Sequence, residues 1–192
     1  MKIGLLLKKG LIVVMPTDTI YGICGTALKK SVVEKIYKLR KRSYKKPMIV
    51  LISSINDLKI FGVELNKNEE KILKKLWPGK ISVILELKNK IRKFAYIHRG
   101  TNEIAFRLPK PKWLIKLLKI SGPIVAPSAN LEGYPPAKTI EEAKKYFGNK
   151  VIYWDKGKID SKPSTLIKMK NNKIEILRKG AEINKVLKLI RK

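Results

Sequence analysis

Leu11-Ile12-Val13-Val14-Met15-Pro16-Thr17-Asp18-Thr19-Ile20-Tyr21-Gly22 (residues 11–22) sets an apolar run directly against a polar one. Leu11 to Met15 has the length and β-branched content of a strand buried on both faces, and Pro16, with no N–H to donate, stops it. Two hydroxyls, one carboxylate and one phenol then leave the strand end together. Open α/β sheets collect their ligands at such strand ends, so residues 16–22 form a first candidate site. A turn held by Thr and Asp side chains explains the same residues, and Asp18 reads as a turn residue accepting backbone N–H bonds.

On either side of this stretch the pattern alternates. Ile3, Leu6 and Leu7, closed by Lys8, Lys9 and Gly10, predict a short opening helix. Ser31 with Glu34 has capping-box spacing, and Val32, Val33, Ile36, Tyr37 and Leu39 continue at helical period. Met48 to Ile52 predicts a strand, Asn66 to Leu76 a lysine-studded helix before Trp77-Pro78-Gly79, and Ile81 to Leu87 another strand. Further on come a strand over Glu103 to Leu108, a helix over Lys112 to Ile120 and a short strand over Ile124 to Ala126. Thr139 with Glu142 opens a helix to Phe147, and Val151 to Trp154 is a strand. Thr165 to Met169 and Ile174 to Leu177 form a hairpin, because Asn171-Asn172 tolerates positive φ. Ala181 to Ile190 closes as a helix. Helices interleaved with strands plus one hairpin imply an α/β chain of the α+β type, a mixed sheet flanked by helices, forming a single domain over residues 1–192.

The charge is lopsided: 44 Lys and Arg against 15 Asp and Glu, a net +29 in 192 residues. Such an excess attracts polyanions at long range, which makes nucleotides or nucleic acid the natural partners. Lysine accumulation in AT-rich or heat-adapted organisms is the compositional alternative. Cys24 is the single cysteine and His98 the single histidine, so neither an internal disulfide nor a Cys/His zinc site is expected. The apolar stretch Ile3 to Leu7 is too short for a leader or a membrane span, and the expected location is cytoplasmic.

Three further polar stretches sit where chain direction changes. Lys38-Leu39-Arg40-Lys41-Arg42, with Lys45 and Lys46 before Pro47, is a basic run at a helix C-terminus, where cations complement the dipole. As that helix unwinds, Arg40 and Arg42 can converge on one polyphosphate, which Arg binds bidentately. Ala126-Pro127-Ser128-Ala129-Asn130 follows a buried strand with small polar residues that suit either a turn or close approach of a nucleotide phosphate. Lys162-Pro163-Ser164-Thr165 opens one hairpin strand and Arg178 ends its partner, so the two can face one cleft. Cys24 reads as a small buried hydrophobe, Trp77 as a helix-end anchor, and His98, in a basic loop, has no assigned role.

Taken together these stretches resemble the YrdC-like family of threonylcarbamoyl-AMP synthases in its short, single-domain form. The resemblance is carried in order by Pro16 to Gly22 (PTDTIYG), Arg40 to Arg42 with Lys46-Pro47, Trp77-Pro78-Gly79, Ala105-Phe106-Arg107, Pro127 to Asn130 (PSAN), Ser164-Thr165 and Leu177 to Gly180. It implies a twisted mixed sheet around a basic cleft, and a nucleotidyltransferase that forms threonylcarbamoyl-AMP and pyrophosphate from L-threonine, bicarbonate or CO2, and ATP, for threonylcarbamoyl-adenosine in tRNA. By the same resemblance Thr19, Arg107 and Ser164 hold threonine, with Arg107 on its carboxylate. Arg40, Arg42, Lys46, Ser128, Asn130 and Arg178 hold ATP, and Arg40 and Arg42 stabilise charge in the reaction without any protein nucleophile. Mg2+ is expected to travel with the phosphates, with no protein ligand to the metal. A downstream tRNA threonylcarbamoyl-transferase machinery is the implied consumer, and no membrane is involved.

Two departures stand out. Arg40 occupies a position where most members carry Lys, and Leu51 one where several carry a polar histidine at the threonine pocket. The main alternative is a non-catalytic double-stranded RNA, tRNA or ribosome-assembly module using the basic cleft, which an aromatic content of 7% disfavours. Another reaction on the same architecture, such as carbamoyl transfer or sugar-phosphate chemistry as in dihydroxybutanone phosphate synthase, predicts acidic metal ligands that the motifs lack.

Overall fold

A computed structural model describes residues 2–44, 47–88 and 92–191. In chain order the elements are α1 (Lys2–Lys9), β1 (Val13–Pro16), β2 (Tyr21–Thr26), α2 (Lys30–Leu39), β3 (Ile49–Leu51), α3 (Lys67–Leu76), β4 (Ile81–Glu86), α4 (Ala95–His98), β5 (Glu103–Arg107), α5 (Lys112–Ser121), β6 (Ile124–Val125), α6 (Ile140–Phe147), β7 (Ile152–Tyr153), β8 (Thr165–Lys170), β9 (Lys173–Arg178) and α7 (Ile183–Ile190). The 3-10 segments Ile55–Phe61 and Arg92–Phe94 lie among them.

The described strands form one sheet in the order β7-β1-β2-β6-β3-β5-β4-β8-β9. Pairing is mixed as expected: β1–β7, β3–β5 and β4–β8 are parallel and the remaining neighbours antiparallel. Alternation along β1 divides the core. Val14 joins a large cluster with Tyr21, Ile23, Ile36 and Phe106, whereas Val13 and Met15 face Leu114, Leu117 and Leu118 of α5. Ile12 to Met15 are buried as the apolar run specifies, whereas Leu11 is exposed and precedes β1. Leu51 lies fully buried on the α5 side.

The sequence reading missed β2. Pro16 ends β1 as expected but is itself paired, opposite Tyr21, so the PTDTIYG stretch closes a hairpin with a second strand. Glycines hid the strand, because Gly lacks strand propensity. Both have a packing reason. A Cβ on Gly25 would lie 2.5 Å from Val32 Cγ1, and one on Gly22 would lie 3.2 Å from Thr17 Cγ2 and 3.3 Å from Pro127 O.

Capping followed the sequence only in part. Asn66 and Glu69 form a reciprocal box at α3. At α6, Thr139 accepts from Glu142 N, but the Glu142 carboxylate takes Lys138 N instead of completing the box. The Ser31/Glu34 box does not form. The helix α2 starts two residues earlier than a Ser31 cap requires, at Lys30 after Lys29, which leaves Ser31 inside the first turn, and Glu34 pairs with Arg99 at 2.9 Å. Asn171 and Asn172 adopt φ of 51° and 62° at the β8–β9 turn, as their residue type allows. Trp77 anchors the end of α3, buried with Nε1 donating to Ile81 O at 2.7 Å, and the Trp77–Pro78 peptide is cis. Among the described residues no helix is long and apolar enough to cross a membrane.

Candidate active site

The hairpin tip between β1 and β2 holds itself together. Thr17 N donates to Ile20 O, Thr17 Oγ1 donates to Ile20 O at 2.7 Å and accepts from Thr19 N, and the Thr17 and Thr19 hydroxyls lie 3.1 Å apart. Thr17 therefore does the turn work that the sequence assigned to Asp18. Asp18 turns inward instead, where Oδ1 accepts from Arg107 Nη2 at 2.8 Å with both side chains buried. The correction has a plain physical cause: a buried guanidinium at the end of β5 needs a counter-charge, and the Asp18 carboxylate supplies it in preference to bonding backbone N–H groups.

Arg107 anchors a continuous chain of polar side chains. Its Nη2 lies 3.5 Å from Thr19 Oγ1, its Nη1 donates to Ser82 Oγ at 3.4 Å, and Ser82 and Ser164 share a hydroxyl contact of 2.9 Å. Arg178 then closes on Ser164, with Nη2 2.9 Å from its carbonyl oxygen and 3.2 Å from its hydroxyl. Thus Ser164 and Arg178 do meet, as the hairpin ends suggested. Ser82 was not foreseen; a lone serine in the apolar strand Ile81-Ser82-Val83-Ile84-Leu85 was the available signal.

On the other wall stands Arg40, the residue that caps α2. It is buried, with Nε donating to Asn130 O at 3.0 Å and Nη2 to Asn130 Oδ1 at 3.0 Å and Ser128 Oγ at 3.3 Å. Burial first, and the neighbouring Arg42 second, push its pKa down to about 10, which still leaves a cation at neutral pH. Arg178 is lowered in the same direction, by burial and then by Arg107. Cations repelling one another around a hollow are stabilised when an anion enters it. Consistent with that, Arg40 Nη1 and Arg107 Nε are buried without a protein hydrogen-bond acceptor, as is Asp18 Oδ2 without a donor, among the described residues.

All of this surrounds one cavity of about 190 Å³. Thr17, Thr19, Arg40, Arg42, Arg107, Ser128, Ser164 and Arg178 line it, together with Tyr21, Met48 and Pro127. Ligand clefts usually measure ~300–1,000 Å³, and this enclosed space lies below that range. A Gly22–Ser128 bridge ties the hairpin tip to the Pro127–Asn130 turn, and a Ser164–Ala181 bridge ties the start of β8 to the segment before α7.

Of the residues singled out in the sequence, Thr19, Arg107, Ser164, Arg40, Arg42, Ser128 and Arg178 are brought together here. Asn130 is not on the wall: its Oδ1 holds Arg40 while its Nδ2 donates to Leu131 O and Tyr134 O, both at 2.7 Å. Lys46 lies outside the described residues. Leu51 is not among the lining residues either. Cys24, fully buried, has its thiol pushed up to about 12 by desolvation, as expected of a small core residue. His98 is not in a loop but ends α4, buried, with Nδ1 accepting from Gly100 N at 3.2 Å and Asn102 N at 3.3 Å. Among the described residues, no group of three or more His, Cys, Asp or Glu side chains could hold a metal ion.

The Sua5/YciO/YrdC family model, described as telomere recombination, matches residues 5–180. The chain belongs to this family. A threonylcarbamoyl-AMP synthase from Pyrococcus abyssi is 30% identical over 192 residues, spanning 96% of this chain and 56% of the relative. A putative threonylcarbamoyl-AMP synthase from Methanocaldococcus jannaschii is 34% identical over 173 residues, 89% of this chain and 80% of the relative. Among solved structures, that of P. abyssi Sua5 complexed with L-threonine superimposes with a TM-score of 0.87 at 28% identity, covering 98% of this chain and 57% of the other. The chain thus spans little more than half of the P. abyssi relative's length. The Sua5/YciO/YrdC fold of mixed sheet and flanking helices is the architecture found here, and the seven converging residues sit in its matched segment, since all lie between residues 5 and 180.

Proposed function

We propose that this chain is a threonylcarbamoyl-AMP synthase, a nucleotidyltransferase that joins L-threonine, CO2 or bicarbonate, and ATP, and releases pyrophosphate. The observation that carries the proposal is the convergence of four arginines with Thr19, Ser128 and Ser164, far apart in sequence, around one cavity in a member of a family whose relatives bear that name. It also rests on the single-domain reading of residues 1–192.

Threonine takes the Asp18 side of the cavity. Arg107, fixed by Asp18 and Ser82, meets its carboxylate, and the Thr19 and Ser164 hydroxyls fix its orientation. ATP takes the Arg40 side, with Arg40, Arg42 and Ser128 on the phosphates, Arg178 meeting them from the Ser164 wall and Asn130 holding Arg40 in place, and the family resemblance adds Lys46 to the phosphate-binding set. The threonine amine, as a free base, adds to CO2 to give a carbamate and a proton. A carbamate oxygen then attacks the α-phosphorus in line, the bond to the bridging oxygen breaks, and pyrophosphate leaves. No protein nucleophile is needed. Arg40 and Arg42 stabilise the charge that grows on the phosphates, and their fixed placement supplies most of the catalysis.

Mg2+ fits as a phosphate-borne ion, since Asp18, the carboxylate in this site, is engaged by Arg107; bound to the phosphates it would neutralise charge on the leaving group. The product would pass, in the cytoplasm, to a separate transferase acting on tRNA, and the net +29 charge supports an approach of RNA to this surface.

The test is product identity. ATP, threonine and isotope-labelled bicarbonate should yield an adduct whose mass is that of threonylcarbamoyl-AMP with the carbon label retained. An adenylate lacking the label, formed by threonine alone, would replace this reading with direct aminoacyl-adenylate chemistry.

A further inference from the structure

The helix α2 ends at Leu39, and the chain then reverses through Lys41 at φ 48°, a left-handed conformation unfavourable for a lysine. The residues that follow carry Arg42 into the cavity and have no helix or strand of their own. Backbone bonds hold part of this segment: Arg42 N donates to Tyr37 O at 3.0 Å, and Ser43 N donates to Glu132 Oε2 at 2.5 Å. Its far end is held by a ring. Tyr44 stacks on Tyr37 with centroids 5.1 Å apart and planes inclined by 19°.

A cation joins the pair. The Arg99 guanidinium lies 4.1 Å from the Tyr37 centroid and 4.8 Å from that of Tyr44, while its Nη1 donates to Glu34 of α2 at 2.9 Å. Arg99 is placed by its own turn. It caps α4 in the left-handed region at φ 52°, and the turn that follows is organised by His98, whose ring accepts from Gly100 and Asn102. Lys41 and Arg99, both left-handed and non-glycine, cost free energy that the packing around the tyrosine pair must offset.

We infer that Arg99, Tyr37 and Tyr44 form a clamp that positions Arg42 for the nucleotide phosphates, which makes Arg99 and Tyr44 positioning residues of the nucleotide half-site. The inference rests on the proposed placement of ATP beside Arg40 and Arg42. Neither residue lines the cavity, so their effect reaches the ligand through the segment that carries Arg42. Cation–π contacts of this kind contribute ~0.5–2 kcal/mol, and loss of the clamp frees a segment whose ordering the nucleotide must then supply.

The discriminating variant is Tyr44→Ala, because Tyr44 is 44% exposed and its removal leaves the core intact. Binding of a non-hydrolysable ATP analogue and of threonine would be measured separately, alongside thermal unfolding. Tyr44→Ala should weaken the analogue roughly three- to tenfold, within the range such contacts allow. Threonine affinity should stay unchanged, and the melting temperature should fall by no more than the few degrees that contacts of this size account for. Arg99→Ala should weaken the analogue likewise, and the double variant should be no worse than the weaker single, as expected of residues acting as one unit. Tyr44→Phe, which keeps the ring, should match the parent protein. If the parent binds the analogue and Tyr44→Ala binds it equally well, the clamp is overturned while the ATP placement survives. If the parent binds no analogue, both fall, and equal weakening of threonine and analogue would demote the clamp to general structural support.

Discussion

Asp18 Oδ1 and Arg107 Nη2 meet at 2.8 Å across 89 residues of sequence, tying the tip of the first hairpin to the end of a central strand. Both side chains are buried, and the pair stands between the Thr19 hydroxyl and Ser82. Its two members are worth more together than either alone, because removing one leaves a buried charge without compensation, at a cost of ~3–5 kcal/mol.

Asp18→Ala should therefore lower stability by an amount of that order, and Asp18→Asn, which keeps an acceptor, by less. Both should reduce kcat/KM for threonine at least about tenfold, since one tenfold step corresponds to ~1.4 kcal/mol of lost alignment, while KM for ATP moves little. Chemical unfolding and steady-state kinetics with each substrate varied check this. A variant unchanged in both respects would show that Arg107 is aligned by something other than Asp18.

The two walls of the cavity should separate in kinetics. Arg42→Ala should raise KM for ATP, and Ser164→Ala should raise KM for threonine, because Arg42 lies on the Arg40 wall and Ser164 in the Ser82–Arg107 chain. Each loses a hydrogen bond to a polar or charged ligand, for which ~1–3 kcal/mol is usual. Equal small effects on both substrates would mean that the two ligands do not lie as assigned.

Gly180 packs so closely on the start of β8 that a Cβ there would lie 2.3 Å from Pro163 O and 2.5 Å from Ser164 O. Backbone cannot yield cheaply, so Gly180→Ala should destabilise by at least the ~1–3 kcal/mol of overpacking. It should also impair threonine use more than ATP binding, by displacing Ser164. Differential scanning calorimetry and threonine kinetics test both parts, and a fully stable, fully active variant would refute the close approach.

Cys24 supplies a pH prediction. Burial raises its thiol from an ordinary 9.0 to about 12 in the folded protein. The folded chain therefore holds this proton more tightly than the unfolded one, so the associated stability is fully present below pH 9 and is lost as pH rises toward 12. Unfolding free energies measured from pH 8 upward should fall, and Cys24→Ala should flatten that part of the slope. At pH 8 the native thiol should resist a maleimide that labels the unfolded chain rapidly; rapid native labelling would show that the site is open.

Most of the fold was legible because hydrophobic period and turn chemistry agree along most of the chain. The hairpin at Asn171-Asn172 and the capped helix from Asn66 fall where local signals placed them. Where they failed, a long-range partner had overridden a local preference. Glu34 abandoned its expected box for Arg99, Asp18 abandoned the turn for Arg107, and Gly22 and Gly25 concealed a strand because α2 and the Pro127 turn leave no room for side chains. The candidate site was legible as motifs, since seven of its residues line one cavity. Its inner support was not, because Ser82 and the Asn130 grip on Arg40 depend on strand order and helix placement that no local window contains.

The central claim is that one cavity holds an amino acid and a triphosphate so that a carbamate of the first attacks the second. Pyrophosphate release, followed while ATP, threonine and bicarbonate are each omitted in turn from a CO2-depleted buffer, tests it most directly. The account predicts release only with all three present, restored by adding back the missing one. Release at the full rate without threonine, or without bicarbonate, would contradict it.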